Sequence, residues 1–189
     1  MDLTIYPTRL SGTVTPPPSK SQLHRLIILA ALADGESTIE NFVPADDLLA
    51  TINAVRALGA VVEASGSTLR IQGIAGRNIR AEQLPQIDCG ESGTTLRFMI
   101  PVALTVAGGG VFTGSDRLMQ RPLAPYFSIF RDQDIHYSLE NNTLTVQGQL
   151  RSGQYRLPGD VSSQFFSGLL LALPLLPQPS VIIPEGPLE

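Results

Sequence analysis

An internal repeat is the feature that most constrains how this chain of 189 residues can fold. The segment TLRIQG at 68–73 returns as TLTVQG at 143–148, an offset of 75 residues. Just upstream, residues 60–63 stand opposite residues 135–138 at the same offset. In each copy, two short runs of strand-forming residues flank a polar turn, which predicts a β-hairpin. The sequence therefore predicts tandem copies of one supersecondary unit.

A helical pattern precedes each predicted hairpin. Residues 46–58 carry apolar side chains at a helical period, and Gly59 follows where a helix C-terminus favours a left-handed residue. Residues 122–130 show the same period before the second hairpin. Each unit is thus expected to contain a helix packed against its hairpin.

Short predicted strands stand ahead of these helices at 37–42 and 111–113, and a third such strand begins at 181–183. A unit of strand, helix and hairpin cannot bury its apolar face alone. Two units and the start of a third therefore predict a bundle with one face open. We expect a continuing chain or another polypeptide to supply the remainder.

Three further helices, at 21–33, 93–107 and 162–176, are apolar on nearly every side and are predicted to be buried, packed side by side. Their N-terminal ends gather hydroxyl, glycine, amide and basic residues. Unpaired backbone N–H groups and cationic side chains attract anions there. At any one of these helix N-termini, an ordinary N-cap or a solvated helix face is the simpler explanation. Three such N-termini together favour a multi-phosphate pocket.

A loop at 113–122 adds a further basic segment, because Arg121 stands directly before a proline at a predicted helix start. Arg117 lies in the same loop, and both arginines could face one anion or simply be surface side chains near Asp116. The candidate binding residues are Lys20, Ser21, Arg25, Gly93, Thr94, Arg97, Arg121, Ser162, Ser163 and Gln164.

Composition narrows the classes of function. The net charge of −4 argues against a broadly basic nucleic-acid surface. The single cysteine, Cys89, cannot form an internal disulfide or a cysteine-based zinc cluster, and two histidines do not suggest a metal site. The first residues lack the pattern of a signal peptide, and the apolar runs are far shorter than the roughly 20 residues that a membrane helix needs. We expect a soluble cytoplasmic protein.

Four stretches, in this order along residues 16–176, resemble the motifs of the 5-enolpyruvylshikimate-3-phosphate (EPSP) synthase family. They are PPPSKSQLHRLIILAAL, CGESGTTLRF, FTGSDRLMQRPL and LPGDVSSQFFSGLLLALP. The resemblance implies an α+β fold of the enolpyruvyl-transferase type, an inverse α/β prism with two lobes built from repeated βαβαββ units. Residues 1–15 are then expected to be a strand segment of the other lobe. Residues 16–189 would be an incomplete substrate-binding lobe, with two complete units and the start of a third.

The resemblance also implies an activity. The family transfers the enolpyruvyl group of phosphoenolpyruvate to the 5-hydroxyl of shikimate 3-phosphate in aromatic amino-acid biosynthesis, and glyphosate inhibits it. The reaction proceeds by addition and then elimination, phosphate leaves, and no metal or organic cofactor is needed. By similarity, phosphoenolpyruvate would be held by Lys20 and Arg121, with Gly93, Thr94 and Arg97 around its phosphate. Shikimate 3-phosphate would be held by Ser21, Arg25, Ser162, Ser163 and Gln164, the last reaching both substrates.

Two departures from the family pattern matter. Glu91 stands where the best-known members have asparagine, and a carboxylate beside a phosphate repels it unless it is paired or protonated. The acid and base carboxylates of the family lie in its C-terminal half. We therefore expect this chain to bind substrates weakly and not to turn over without the missing half or a complementing chain.

Two alternatives remain open at this stage. The sister enzyme that transfers enolpyruvyl to UDP-N-acetylglucosamine shares the architecture, but its opening motif normally reads Lys-Asn where this chain has Lys20 and Ser21. It also commonly uses a loop cysteine, whereas Cys89 precedes the glycine-rich motif. A non-catalytic phosphate-binding module built from the same repeat is the other reading.

Overall fold

A computed structural model describes residues 3–9, 11–75 and 83–187 of the chain. Six α-helices and nine β-strands alternate along these residues in the pattern of the repeat. In chain order they are α1 (Lys20–Leu32), β1 (Glu36–Ile39), α2 (Asp46–Ala57), β2 (Val61–Ser65), β3 (Thr68–Gln72), β4 (Gln86–Asp88), α3 (Gly93–Val106), β5 (Gly109–Thr113), α4 (Asp116–Met119), α5 (Ala124–Asp132), β6 (His136–Glu140), β7 (Thr143–Gln147), β8 (Gln154–Pro158), α6 (Ser163–Ala172) and β9 (Val181–Glu185), with a 3₁₀ turn at Leu173–Leu175 after α6.

The predicted repeat is confirmed. The hairpins β2–β3 and β6–β7 are antiparallel and close with two-residue turns. In the second turn Asn141 and Asn142 have φ angles of 48° and 58°, the left-handed pair that a tight hairpin turn needs. Gly59 follows α2 with a φ of 96°, and Asp134 occupies the same place after α5 with a φ of 55°. The two copies thus share their backbone conformation even where the residue type differs.

The sheets reveal strands that the sequence pattern did not single out. The second sheet has the order β4-β5-β7-β6, in which β4 runs parallel to β5. The third pairs β8 with β9 in the same parallel way. Elements β4 to β7 therefore make one complete βαβαββ unit, with α4 added in the loop ahead of α5.

The first unit differs from the second in its leading strand. Its sheet has the order β1-β3-β2, and residues 11–19, which precede α1, contain no helix or strand. The first copy has a strand, a helix and a hairpin, but no strand precedes α1 among the described residues. The division into two complete units and the start of a third stays a prediction. Residues 3–9 and 11–17 are exposed. Their assignment to another lobe stays a prediction.

Burial of the apolar helices was predicted correctly for only one of three. Helix α3 packs against α2, α6 and its own sheet, and its apolar side chains are buried. Helices α1 and α6 each bury one face and leave another exposed, so Leu29 and Leu170 are 51% and 63% exposed. Among the described residues, no helix is both long and apolar enough to cross a membrane.

Candidate functional site

The start of α3 is shaped to let two arginines approach its backbone. Ser92 is the N-cap, and its Oγ accepts a hydrogen bond from the backbone N–H of Thr95 at 3.1 Å. At Gly93, an added Cβ would lie 2.6 Å from Nη1 of Arg121 and 3.3 Å from Nη1 of Arg97. The glycine therefore leaves the space that both guanidinium groups use beside the helix N-terminus.

Helix α6 begins at the same place. Arg97 Nη1 donates to Gln164 Oε1 at 2.7 Å, and Gln164 Nε2 donates to Thr94 Oγ1 at 2.9 Å. Ser162 caps α6, and its Oγ accepts from the backbone N–H of Gln164 at 3.3 Å. One glutamine side chain thus joins the first turns of α3 and α6.

The two arginines give this junction a concentrated positive charge. Burial lowers the pKa of Arg97, and the positive charge of Arg121 lowers it further. The Arg97 guanidinium also lies over the Phe165 ring, 5.2 Å from its centroid. Among the described residues, no carboxylate forms an ion pair with either arginine. An anion placed between them would relieve their mutual repulsion.

Arg25 extends the site across α1. Its Nη1 donates to Ser21 Oγ at 2.7 Å, and its Nη2 donates to Ser167 Oγ at 2.8 Å on α6. The guanidinium lies 5.0 Å from the centroid of the Phe98 ring on α3. Arg25 therefore touches all three of the helices whose starts were predicted to converge.

Lys20 reaches the same region through an acidic neighbour. Its Nζ lies 2.6 Å from Oδ2 of Asp47 in the first turn of α2. The backbone carbonyl of Asp47 accepts from Thr95 Oγ1 at 3.3 Å, which ties α2 to α3. Because the Lys20 side chain is 56% exposed, this ion pair adds little stability and leaves the ammonium available to a ligand.

The predicted residues fall into a connected group and a few outliers. Direct contacts join Gly93, Thr94, Arg97, Arg121 and Gln164. Ser21 and Arg25 are linked to this group through α6, and Lys20 is linked to it through α2. Ser162 caps α6. The outliers are Ser163, Arg117 and Glu91, which are exposed.

Sequence reasoning missed the residues that hold the site from behind. Tyr126 on α5 is buried, and its Oη donates to the carbonyl oxygen of Arg97 at 2.7 Å. Burial raises the pKa of Tyr126, so its hydroxyl remains a donor. Asp47 and Ser167 were also missed. An acidic pair opening a helix could have pointed to Asp47, but Tyr126 resembles any core aromatic on an amphipathic helix.

Cys89 is not a reactive thiol. It is fully buried, and burial, followed by the charge of Asp88, raises its pKa to about 12. At neutral pH the thiol is protonated, whereas nucleophilic chemistry needs the thiolate. The structure thus supports the sequence-based view that Cys89 does not act as a catalytic loop cysteine.

The chain is similar to one family of known proteins. The family model described as EPSP synthase (3-phosphoshikimate 1-carboxyvinyltransferase) matches residues 5–188. The 3-phosphoshikimate 1-carboxyvinyltransferase of Clostridium kluyveri is 45% identical over 176 residues, which cover 92% of this chain and 41% of the relative. That of Clostridium botulinum strain Alaska E43 is 46% identical and is covered over 44% of its length. A solved EPSP synthase from Acinetobacter baumannii superposes with a TM-score of 0.78 at 27% identity, over 94% of this chain and 41% of that one. The chain thus spans less than half the length of these relatives.

Proposed function

The chain belongs to the EPSP synthase (3-phosphoshikimate 1-carboxyvinyltransferase) family, and from this premise we propose that it forms substrate-binding machinery of an enolpyruvyl transferase. The reaction moves the enolpyruvyl group of phosphoenolpyruvate to the 5-hydroxyl of shikimate 3-phosphate and releases phosphate. One observation carries the proposal. Arg97, Arg121 and Gln164 converge on the glycine-containing start of α3 without a carboxylate partner among the described residues.

The α3 start suits the phosphate of phosphoenolpyruvate. Among the described residues, the backbone N–H groups of Gly93 and Thr94 in the first turn have no partner, so they are donors that need no rearrangement. Arg121 lies beside them, and Lys20 is held within reach of the same region by Asp47. We assign Lys20 and Arg121 catalytic roles, because charge grows on the phosphate as it leaves and fixed cations lower that barrier.

The α1 and α6 starts suit shikimate 3-phosphate. Arg25 and Ser21 form one side, and the hydroxyls of Ser162 and Ser163 open α6 on the other. Gln164 begins α6 and contacts Arg97 and Thr94 on α3, so we propose that it reaches both substrates. Two polyanions brought together need cations between them, and holding them in a reactive orientation removes much of the entropic barrier.

The chemical steps set what the rest of the enzyme must do. In the addition, the 5-hydroxyl of shikimate 3-phosphate gives up its proton to a base as its oxygen bonds to C2 of phosphoenolpyruvate, and C3 gains a proton from an acid. The C2–O bond to phosphate then breaks, and C3 gives up a proton. The residues above bind and neutralise the anions. We propose that the proton-transferring groups come from a part of the enzyme outside this chain.

Calorimetric titration of the 189-residue chain with shikimate 3-phosphate tests this proposal. We expect binding, and we expect Arg25→Gln to weaken it by about tenfold or more through loss of a charge-assisted contact. Arg70→Gln is the matched control, because Arg70 lies exposed on β3 in the first hairpin.

UDP-N-acetylglucosamine serves as the competing ligand in the same titration. Preference for the UDP-sugar would assign the chain to the sister reaction. If neither ligand binds, or if both arginine variants behave alike, the proposed substrate-binding role is wrong.

A further inference from the structure

A buried chain of hydrogen bonds runs beneath the site and connects three helices. His24 Nδ1 on α1 lies 2.7 Å from Thr51 Oγ1 on α2, and Thr51 Oγ1 lies 2.7 Å from Thr95 Oγ1 on α3. Thr95 Oγ1 in turn lies 2.7 Å from Oγ of the N-cap Ser92. Each of the four side chains is at most 1% exposed. Buried polar groups are costly unless they are paired, so this chain links the three helices specifically.

Both ends of this chain of hydrogen bonds are next to residues of the proposed site in the sequence. His24 directly precedes Arg25 and lies one helical turn after Lys20. Ser92 caps α3 immediately before Gly93. Movement of His24 relative to Ser92 would therefore change the separation of the cations on α1 from the anion-binding start of α3.

Helix α2 joins the two ends. The carbonyl oxygen of Asp47 lies 3.3 Å from the hydroxyl oxygens of both Thr51 and Thr95, and its carboxylate holds Lys20. Thr51 is the member that contacts both α1 and α3. Removing its hydroxyl would separate the His24 end from the Ser92 end while leaving every proposed substrate contact in place.

We propose that Thr51 is a positioning residue, whose hydroxyl holds α1 and α3 in register through His24 and Thr95 and so sets the distance between Lys20 and the glycine-containing start of α3. Its effect on substrate affinity rests on the proposed function. Packing alone fixes such a register less sharply, because apolar contacts are non-directional whereas hydrogen bonds weaken steeply when they bend.

Thr51→Val tests the proposal, since valine keeps the shape of threonine and lacks its hydroxyl. We expect the Kd for phosphoenolpyruvate, measured with shikimate 3-phosphate present, to rise roughly tenfold, because Lys20 would no longer be held at a fixed distance from the start of α3 once His24 and Thr95 lose a buried partner. Thr51→Ser keeps the hydroxyl and is expected to restore affinity close to that of the unaltered chain. Val55→Ala is the matched control, one turn along α2 and equally buried, and it should lower thermal stability without changing Kd.

Amide hydrogen exchange gives a second readout that needs no ligand. The N–H groups of Thr95 and Leu96 bond to Ser92 at the start of α3. We expect their exchange to accelerate in Thr51→Val. In Val55→Ala, we expect their exchange to change only as much as the loss of global stability accounts for.

The outcomes separate the two proposals. Unchanged exchange at Thr95 and Leu96 in Thr51→Val overturns the positioning role, whether or not any ligand binds. Equal Kd values for Thr51→Val and the unaltered chain overturn it as well. If the unaltered chain does not bind shikimate 3-phosphate, the proposed function fails while the exchange measurement still decides the role of Thr51.

Discussion

At the scale of single residues, the site depends on cations kept close together and on polar groups kept from water. Arg97 and Arg121 lie beside Gly93 because glycine has no Cβ to exclude them. Behind them, Tyr126 fixes the carbonyl of Arg97. Each of these contacts uses an atom that a conservative substitution would remove or displace, so the site should be sensitive to small changes in side-chain size.

His24 should make stability depend on pH. Its pKa is lowered to about 4, chiefly by burial; the charge of Asp47 partly opposes this, while the charges of Lys20 and Arg25 add to the lowering. The unfolded chain has a histidine pKa near 6.5, so between about pH 6.5 and 4 it binds a proton that the folded chain does not. Folding stability therefore falls as the pH drops through this window.

Urea unfolding at pH 7 and pH 5 measures that loss. We expect this histidine to account for about 2 kcal/mol between the two pH values, from roughly 1.4 kcal/mol per pKa unit. Carboxylates also titrate at low pH, so the comparison is with His24→Asn, which cannot titrate and should lose less. Equal losses in both proteins would show that His24 is protonated normally in the folded state.

At the scale of elements, the contact between α3 and α6 positions the site. Helix α6 crosses α3 at Gly168, where an added Cβ would lie 2.6 Å from the carbonyl oxygen of Arg97 and 3.1 Å from Cγ of Pro101. This approach brings Gln164, one turn earlier on α6, within reach of Arg97 and Thr94. The spacing of two helices thus sets the geometry of the proposed phosphate site.

Gly168→Ala should force these helices apart. Alanine favours a helix by about 1 kcal/mol over glycine, but backbone overlap of this kind costs more, so we expect a net loss of about 1–3 kcal/mol in the free energy of unfolding. Urea unfolding measures the change. Ser128→Ala on the exposed face of α5 is the control and should be neutral or stabilising. A stabilised Gly168→Ala chain would contradict the close packing.

At the scale of the whole molecule, the described residues of the proposed site supply cations and few groups for proton transfer. The Asp47 carboxylate is engaged with Lys20, and Glu91 is exposed. The relatives are more than twice as long as this chain. These facts support the proposed division, in which this part of the enzyme binds the substrates and another part transfers protons.

A phosphate-release assay on the purified 189-residue chain, with phosphoenolpyruvate and shikimate 3-phosphate, checks this division. We expect no turnover by the chain alone, because addition and elimination both need a proton-transfer group. Adding the C-terminal half of a relative as a separate polypeptide is expected to produce phosphate. Turnover by the chain alone that Arg121→Gln abolishes would show that the chain holds all the catalytic groups itself.

The sequence by itself determined the repeat, both hairpins, the positions of most helices and the family. Those features depend on residues close together in the chain, on periodicity, on turn residues such as Asn141 and Asn142, and on motifs that keep their order. Helix ends shifted by one to four residues, as for α6, because capping and packing decide where a helix stops.

Only the tertiary structure decided which of these residues meet. The pairing of Arg97 with Gln164, of Lys20 with Asp47 and of His24 with Thr51 joins positions that lie 67, 27 and 27 residues apart. Such contacts follow from how closely helices pack and which faces they turn to one another. No local pattern records that packing, because it is set by the summed shapes of side chains distant in the sequence.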